Sequence, residues 1–166
     1  MTIEIGTRIP DATLYESTTF GEACPLSPEK VSVGEATKGK KIVIFGVPGA
    51  YTPTCSAKHV PGYVEQLDAL KGKGVSEVWC VAVNDGFVMA AWGKALSAFG
   101  KVRMLGAGSA EFAKKIGLDK DLTGAGMGMR MQRFSMLIDD GVVKRVNVEA
   151  PGKFEVSDAR TMLGQL

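Results

Sequence analysis

One segment of the sequence, "GVPGAYTPTCSAKH" (residues 46–59), places a cysteine among residue types that could activate it. Cys55 follows Thr52 by three residues and precedes His59, the only histidine of the chain, by four. The thiolate form of cysteine is a strong nucleophile, whereas the thiol is not. The chemistry that this segment could perform is therefore that of a nucleophilic sulfur.

The segment lies where a strand turns into a helix. Upstream, "KKIVIFGV" is a continuous run of β-branched and aromatic residues, which is typical of a buried strand. Downstream, apolar residues recur every three or four positions from Val60 to Leu70. This spacing predicts a helix that ends at Gly72 or Gly74, with Cys55 close to its beginning.

The beginning of that helix would favour a charged sulfur. Thr52 is a preferred N-cap residue, and Pro53 suits the first helical position, where its missing N–H costs nothing. Cys55 then falls in the first turn, where unpaired N–H groups and the positive end of the helix dipole stabilise a negative charge. The sequence predicts a partly ionised, nucleophilic Cys55. The alternative is a small apolar core residue, which most free cysteines are.

His59 raises the question of a cysteine–histidine pair for acyl transfer, because residues four apart share a helix face. The sequence offers no third residue that would orient this histidine. Helical side chains lean toward the N-terminus, so the imidazole would pack or form a hydrogen bond beneath the thiol. We therefore favour a packing role for His59, and we expect Pro61 to kink the helix.

Composition excludes several classes of function. Lys and Arg total 20 against 18 for Asp and Glu, and no basic stripe or acidic tail indicates a nucleic-acid or membrane partner. The N-terminus lacks the pattern of a signal peptide, and no apolar run approaches the ~20 residues that span a bilayer. We expect a soluble, cytoplasmic protein.

The three cysteines, Cys24, Cys55 and Cys80, lie far apart in the sequence. An odd number at such spacing argues against a disulfide scaffold and against a zinc site, whose ligands are paired or clustered. We therefore expect no metal and no cofactor.

The order of elements predicts an α/β fold with a central mixed β-sheet and helices on both faces, formed by one domain over residues 1–166. After the first strand and helix come a strand "SEVWCVAVND", a helix capped by Asp85, a strand "VRMLG" and a helix ending at Gly117. A hairpin "RFSMLIDDGVVKRVNVE" and a last helix beginning at Ser157 follow. Thioredoxin-like folds share this order, but the absence of C-x-x-C argues against a dithiol oxidoreductase.

A glycine-rich stretch, "TGAGMGMR" (residues 123–130), invites assignment as a phosphate-binding loop. It is not G-x-G-x-x-G, and it precedes a strand where a dinucleotide fold would need a helix. The sequence therefore predicts a flexible loop here. The segment "GVPGAYTPT" likewise lacks the ending of a P-loop.

Taken together, "PGAYTPTC" has a P-x-x-x-T-x-x-C arrangement that resembles the active-site motif of peroxiredoxins. The segments "SAKHVPGYVE", "VNDGFVMAAW" and "RFSMLIDDGVVKRVNVE" are similar to the type II, or peroxiredoxin-five-like, subfamily. The resemblance covers nearly the whole chain. It implies a thioredoxin-like fold and a thiol peroxidase, whose cysteine becomes a sulfenic acid that a second thiol reduces.

The resemblance also implies a role for each motif residue. Cys55 would attack the peroxide, Thr52 would hydrogen-bond the thiolate and the peroxide, and Pro48 would shield the pocket from water. Arg133 would hold the thiolate charge and polarise the O–O bond. We assign this role to Arg133 and not to Arg130, because Arg133 directly precedes "FSM", as the family's arginine does.

The family further implies a homodimer joined around the active-site end, for which Trp92 is a candidate contact, with a core position as the alternative. The expected partners are a peroxide and a reductant: glutathione, glutaredoxin or thioredoxin. Cys80 is a candidate resolving cysteine, but it lies four residues before Asn84, or roughly 13 Å down its strand, whereas a disulfide needs Cα atoms within about 7 Å. We therefore favour an external thiol. A redox sensor that passes its oxidation to partner proteins is the alternative function.

Overall fold

The protein, described here over residues 1–166 as a computed structural model, contains eleven strands and six α-helices. The strands are β1 (Thr13–Glu16), β2 (Thr19–Phe20), β3 (Pro25–Leu26), β4 (Glu29–Ser32), β5 (Lys41–Gly46), β6 (Glu77–Ala82), β7 (Arg103–Gly106), β8 (Asp119–Leu122), β9 (Gly128–Met131), β10 (Phe134–Asp139) and β11 (Val142–Val148). The helices are α1 (Val33–Ala36), α2 (Val60–Glu65), α3 (Leu67–Gly72), α4 (Gly86–Ala95), α5 (Glu111–Lys115) and α6 (Ala159–Gly164).

Seven of the strands form one sheet in the order β11-β10-β5-β6-β7-β1-β4. The central strands β5, β6 and β7 are parallel, whereas β10 and β11 on one side and β1 and β4 on the other pair antiparallel. The predicted mixed sheet is therefore confirmed. The pairs β2–β3 and β8–β9 form two separate two-stranded sheets.

The central strands are buried on both faces because alternate side chains point to opposite sides of a sheet. In β5, Val43 and Phe45 contribute to one hydrophobic cluster and Ile42 and Ile44 to the other. Helices α2, α3, α4 and α6 supply the first cluster, and α1 and α5 supply the second. The prediction of helices on both faces is confirmed. Because both faces of β5 are covered, "KIVIFG" is apolar throughout and does not alternate with polar residues.

Several predicted ends differ from the structure. The last helix is capped by Asp158, whose carboxylate accepts a hydrogen bond from the Thr161 N–H at 3.1 Å, and not by Ser157. The 123–130 segment is not simply a loop, because it contains a 3-10 turn (Thr123–Ala125) and the first three residues of β9. The Asp85 cap is confirmed by its 2.8 Å bond from the Val88 N–H.

Trp92 lies in the core and not on the surface. Its side chain is fully buried, and its indole N–H donates to the Ser56 hydroxyl at 3.0 Å. A residue in this position ties α4 to the segment that follows Cys55. The prediction that Trp92 contacts a second subunit is therefore wrong, and the alternative, a core position, is confirmed.

None of the six helices is both long and apolar enough to cross a lipid bilayer. No group of three or more His, Cys, Asp or Glu side chains is arranged to bind a metal ion.

Candidate active site

The pairing of β5 with β10 brings two distant parts of the sequence to one edge of the sheet. Gly46, the last residue of β5, lies opposite Phe134, the first residue of β10. A side chain at Gly46 would clash with the ring of Phe134, so glycine permits this close approach. Because the strands are antiparallel, Arg133 lies beside the loop that leaves β5 for Cys55.

That loop is held by hydrogen bonds to its backbone. The Ala50 N–H donates to the side-chain oxygen of Asn84 at 2.9 Å, and Tyr51 has a left-handed φ of 61°. The first helical hydrogen bond runs from the Ser56 N–H to the Thr52 carbonyl at 3.0 Å, so Thr52 occupies the predicted N-cap position. Its hydroxyl, however, does not cap the helix.

The Thr52 hydroxyl donates instead to the Gly49 carbonyl at 2.7 Å. No hydrogen bond joins this hydroxyl to Cys55, so the contact that the resemblance implies is absent from the structure. The physical reason is that a hydroxyl has one proton, and the tight turn at Gly49 takes it. The oxygen keeps its acceptor capacity.

The first turns after Thr52 are not a regular α-helix. Cys55–His59 form a π-helical turn, in which the Val60 N–H donates to the carbonyl of Cys55, five residues back. Pro61 follows immediately and has no N–H to donate, which is where we predicted a kink. A further break at Gln66 separates α2 from α3, which ends at Gly72 as predicted. Single π-turns inside helices occur frequently at functional sites.

Cys55 is fully buried at the beginning of this turn, and its sulfur faces a cation. One guanidinium nitrogen of Arg133, Nη2, donates to the Cys55 sulfur at 3.2 Å. A guanidinium is always charged, so a full positive charge lies beside this sulfur. The central carbon of the same guanidinium lies 5.7 Å from the centre of the Phe154 ring, within the range of a cation–π interaction.

His59 holds the other end of that guanidinium. Its Nδ1 accepts a hydrogen bond from Arg133 Nη1 at 2.9 Å, so Nε2 carries the proton and donates to the Ser157 carbonyl at 3.1 Å. Burial, and next the charge of Arg133, lower the pKa of His59 to about 3. The imidazole is thus neutral, bonded at both nitrogens and not bonded to Cys55, which argues against an acyl-transfer pair.

Glu149, which the sequence did not single out, fixes the segment on which His59 rests. Its buried carboxylate accepts from the N–H groups of Glu155, Val156 and Ser157 and from the Ser157 hydroxyl at 2.7 to 2.9 Å. Burial raises the pKa of Glu149, but these hydrogen bonds outweigh burial, and the net shift is downward. An isolated Glu after a strand has no sequence pattern that reveals such a role.

A cavity of about 310 Å³ opens beside this cluster and is lined by Pro48, Thr54, Arg133 and Phe154 among others. Arg130 lies at its edge, where its Nη1 donates to the Pro48 carbonyl at 3.3 Å. The two arginines that the sequence offers therefore differ in position, since Arg133 donates to the sulfur and Arg130 donates to the backbone carbonyls of Pro48 and Met127.

Cys80 is fully buried in β6, opposite Phe45 of β5, and forms no disulfide. Burial, followed by the neighbouring Cys55, raises the pKa of the Cys80 thiol. The thiol is therefore protonated at neutral pH and is a poor nucleophile.

The hydrogen-bonded His59 makes the free energy of unfolding depend on pH. Its folded-state pKa lies below its ordinary value, so the unfolded chain binds a proton first as the pH falls. We expect the free energy of unfolding to decrease between pH 6.5 and about 3, by at most about 1.4 kcal/mol per pH unit from this group. Urea unfolding at several pH values measures the slope. A His59→Gln variant should have a shallower slope, and an unchanged slope would contradict this assignment.

The fold and the site define a class: a thioredoxin-like protein with one cysteine, and no C-x-x-C pair, at the carboxyl edge of its parallel strands. Comparison with known proteins narrows the class. The sequence profile of the Redoxin family matches residues 4–163. Peroxiredoxin-2B of Arabidopsis thaliana is 45% identical over 99% of this chain and 98% of its own length.

Solved structures agree. The reduced Prx3 of Vibrio vulnificus in complex with H2O2 superposes with a TM-score of 0.91 and 48% identity over 99% of both chains. A Burkholderia cenocepacia protein described as a putative thioredoxin reductase superposes with a TM-score of 0.95 and 54% identity over 100% of this chain and 99% of that one. The chain belongs to the peroxiredoxin family of thiol peroxidases, in its type II branch.

Proposed function

We propose that this protein reduces hydrogen peroxide and alkyl hydroperoxides through a sulfenic acid on Cys55. The observation that supports this function most directly is the 3.2 Å hydrogen bond from Arg133 to a sulfur that no other charged group contacts. The thiolate sulfur forms a bond with one peroxide oxygen while the O–O bond breaks. The second oxygen takes a proton and leaves as water or alcohol, and Cys55 is oxidised to the sulfenic acid.

Arg133, Thr52 and Pro48 complete the proposed catalytic machinery. Arg133 holds the thiolate and stabilises the charge that develops on the leaving oxygen. The Thr52 oxygen, whose proton is held by Gly49, accepts a hydrogen bond from the hydroperoxide. Pro48 covers the mouth of the cavity and limits the entry of water. The H2O2 complex of the similar Vibrio vulnificus protein supports hydrogen peroxide as a substrate.

We propose that the reductant is an external thiol, glutathione with glutaredoxin, and that thioredoxin is the alternative. Cys80 is buried and protonated, and Cys24 is exposed on the segment between β2 and β3. Cys80 shares the buried cluster of Cys55, but a protonated thiol is a poor nucleophile, so we propose that neither cysteine resolves the sulfenic acid. An incoming thiol would form a disulfide with Cys55 and release water, and a second thiol would then regenerate Cys55.

We also propose a single cytoplasmic domain that forms a homodimer. Tyr51 and Phe87 support the dimer, because both are exposed aromatic side chains on loops or helix ends that follow the parallel strands. Such side chains are enriched at protein interfaces.

The experiment that tests this function measures peroxide consumption in the steady state with glutathione and glutaredoxin. We expect many turnovers, and we expect Cys80→Ser to retain them, because the Cys80 thiol is protonated and enclosed by the core. Mass spectrometry of the peroxide-treated protein in the presence of glutathione should show an adduct on Cys55. A Cys55–Cys80 disulfide with loss of turnover in Cys80→Ser would contradict the external reductant. A single stoichiometric burst with every thiol would favour the redox sensor.

A further inference from the structure

The cavity beside Cys55 carries positive charge that no acidic side chain neutralises. Lys120 and Lys153 line it, and Arg130 lies at its edge. None of these three side chains forms an ion pair. The only acidic residue in the lining, Glu149, turns its carboxylate inward to the backbone N–H groups of 155–157.

Two of these cations oppose each other directly. Lys120 of β8 and Arg130 of β9 are cross-strand partners in an antiparallel pair, so their side chains leave the same face of the ribbon. Like charges in this position destabilise a β-ribbon. A like-charge pair beside a cavity is therefore a cost to folding that a bound anion would relieve.

The cavity at the opposite edge of the sheet provides a contrast. It is lined by Glu16, Lys40, Glu77 and Arg103, and all four side chains join a network of ion pairs at 2.8 Å. Of its five charged side chains only Lys101 forms no ion pair, so most of the charge of this cavity is neutralised within the fold. Only the cavity beside Cys55 combines a reactive sulfur with unneutralised cations, and a concave surface of one sign concentrates ligands of the opposite sign.

We propose that this cavity binds the carboxylate groups of the small thiol that reduces Cys55, through Lys120 and Lys153. The inference rests on the proposed function and specifies the reductant as anionic. Hydrogen peroxide is uncharged and needs far less than the cavity's volume of about 310 Å³, whereas a cysteine-containing peptide with two carboxylates uses both its size and its charge. No cysteine of this chain lines the cavity, so no internal thiol competes there with the incoming thiol.

The step served by the site is the reduction of the sulfenic acid. The sulfur of the anionic thiol forms a bond with Cys55 Sγ while the S–O bond of the sulfenic acid breaks. The hydroxyl group leaves as water with the proton of the incoming thiol. Cys55 is reduced, and the thiol is oxidised to one half of a mixed disulfide.

The test compares two probes that differ in charge and not in the reacting thiol, namely glutathione and its monoethyl ester, with glutaredoxin omitted. The protein is first oxidised with one equivalent of H2O2, and the rate of Cys55 reduction is followed against thiol concentration. We expect the Lys120→Gln/Lys153→Gln double variant to lose about tenfold in rate constant with glutathione, because two exposed ion pairs, each of modest strength, are removed. The loss with the ester should be markedly smaller.

The matched control is Lys71→Gln/Lys73→Gln, which removes two exposed charges at the end of α3 and should behave as the wild type. Equal losses with the two probes, or no loss with either, would overturn the inference. A loss confined to oxidation by a carboxylate-bearing hydroperoxide would also overturn it and would assign the site to the peroxide. The proposed function is tested separately, because it fails only if H2O2 does not oxidise Cys55 of the wild type or no thiol restores it.

Discussion

Replacement of Cys55 by serine is expected to abolish peroxide turnover, with a loss of at least three orders of magnitude. The serine hydroxyl is not ionised at neutral pH and does not form an oxidised intermediate that thiols can reduce, so Arg133 would have no thiolate to hold. Consumption of hydrogen peroxide in the presence of excess thiol measures this loss. The size of the substitution is small, and the π-turn should keep its hydrogen bonds.

The matched control for this variant is Cys24→Ser. Cys24 is exposed and is not the sulfur to which Arg133 donates. Its replacement should leave turnover within about twofold of the wild type, because substitutions of exposed residues outside cores, helix caps and buried networks usually have small effects. Retained turnover in Cys55→Ser would refute the assignment of the reacting sulfur.

The second large effect is expected from Arg133→Met, which keeps an unbranched but shorter side chain and removes its charge. Both guanidinium hydrogen bonds, to Cys55 Sγ at 3.2 Å and to His59 Nδ1 at 2.9 Å, are lost. Loss of one preorganised donor to a developing charge costs about 2.7–4 kcal/mol in comparable sites. We therefore expect the rate constant for oxidation of Cys55 by H2O2 to fall by about two orders of magnitude, measured by stopped-flow fluorescence.

His59→Gln is the comparison for Arg133→Met. The imidazole contacts Arg133 and not the sulfur, so it orients the guanidinium without contributing charge to the reaction. Its replacement should slow oxidation by less than tenfold. If His59→Gln proves the more damaging change, a cysteine–histidine pair becomes the better hypothesis and the role of Arg133 falls.

The parts of the fold that the sequence predicts are those set by local physical chemistry. The buried run of β5, the Asp85 cap and the hairpin turn at Asp140–Gly141, whose φ values of 48° and 77° fit a primed turn, all depend on neighbouring residues. Strands β1–β4 were missed because each has only two to four residues, too few for a periodic pattern.

The residues of the candidate site also fall into two groups, those that local sequence predicts and those that only the tertiary structure brings together. The position of Cys55 at a helix beginning is a local property and follows from Thr52 and Pro53. Arg133 and Glu149 reach the site through strand pairing and a long loop, which no local pattern encodes, so only the family resemblance indicated Arg133. The π-turn escaped prediction because Cys55 and His59 share a face in an α-helix as well, and four-residue spacing does not distinguish the two geometries.

The π-turn also makes chain length, and not only residue identity, a determinant of the site. One extra residue is wound into the π-turn Cys55–His59 before the α-helical geometry of α2 begins at Val60. Deleting a single residue here, such as the exposed Ala57 or Lys58, would let the turn revert to an α-helix and swing Cys55 by about 100° around the axis. The sheet and α2 would keep their places while the sulfur turned away from Arg133. Deletion of a single residue would thus leave the chain folded and remove the reactivity of Cys55.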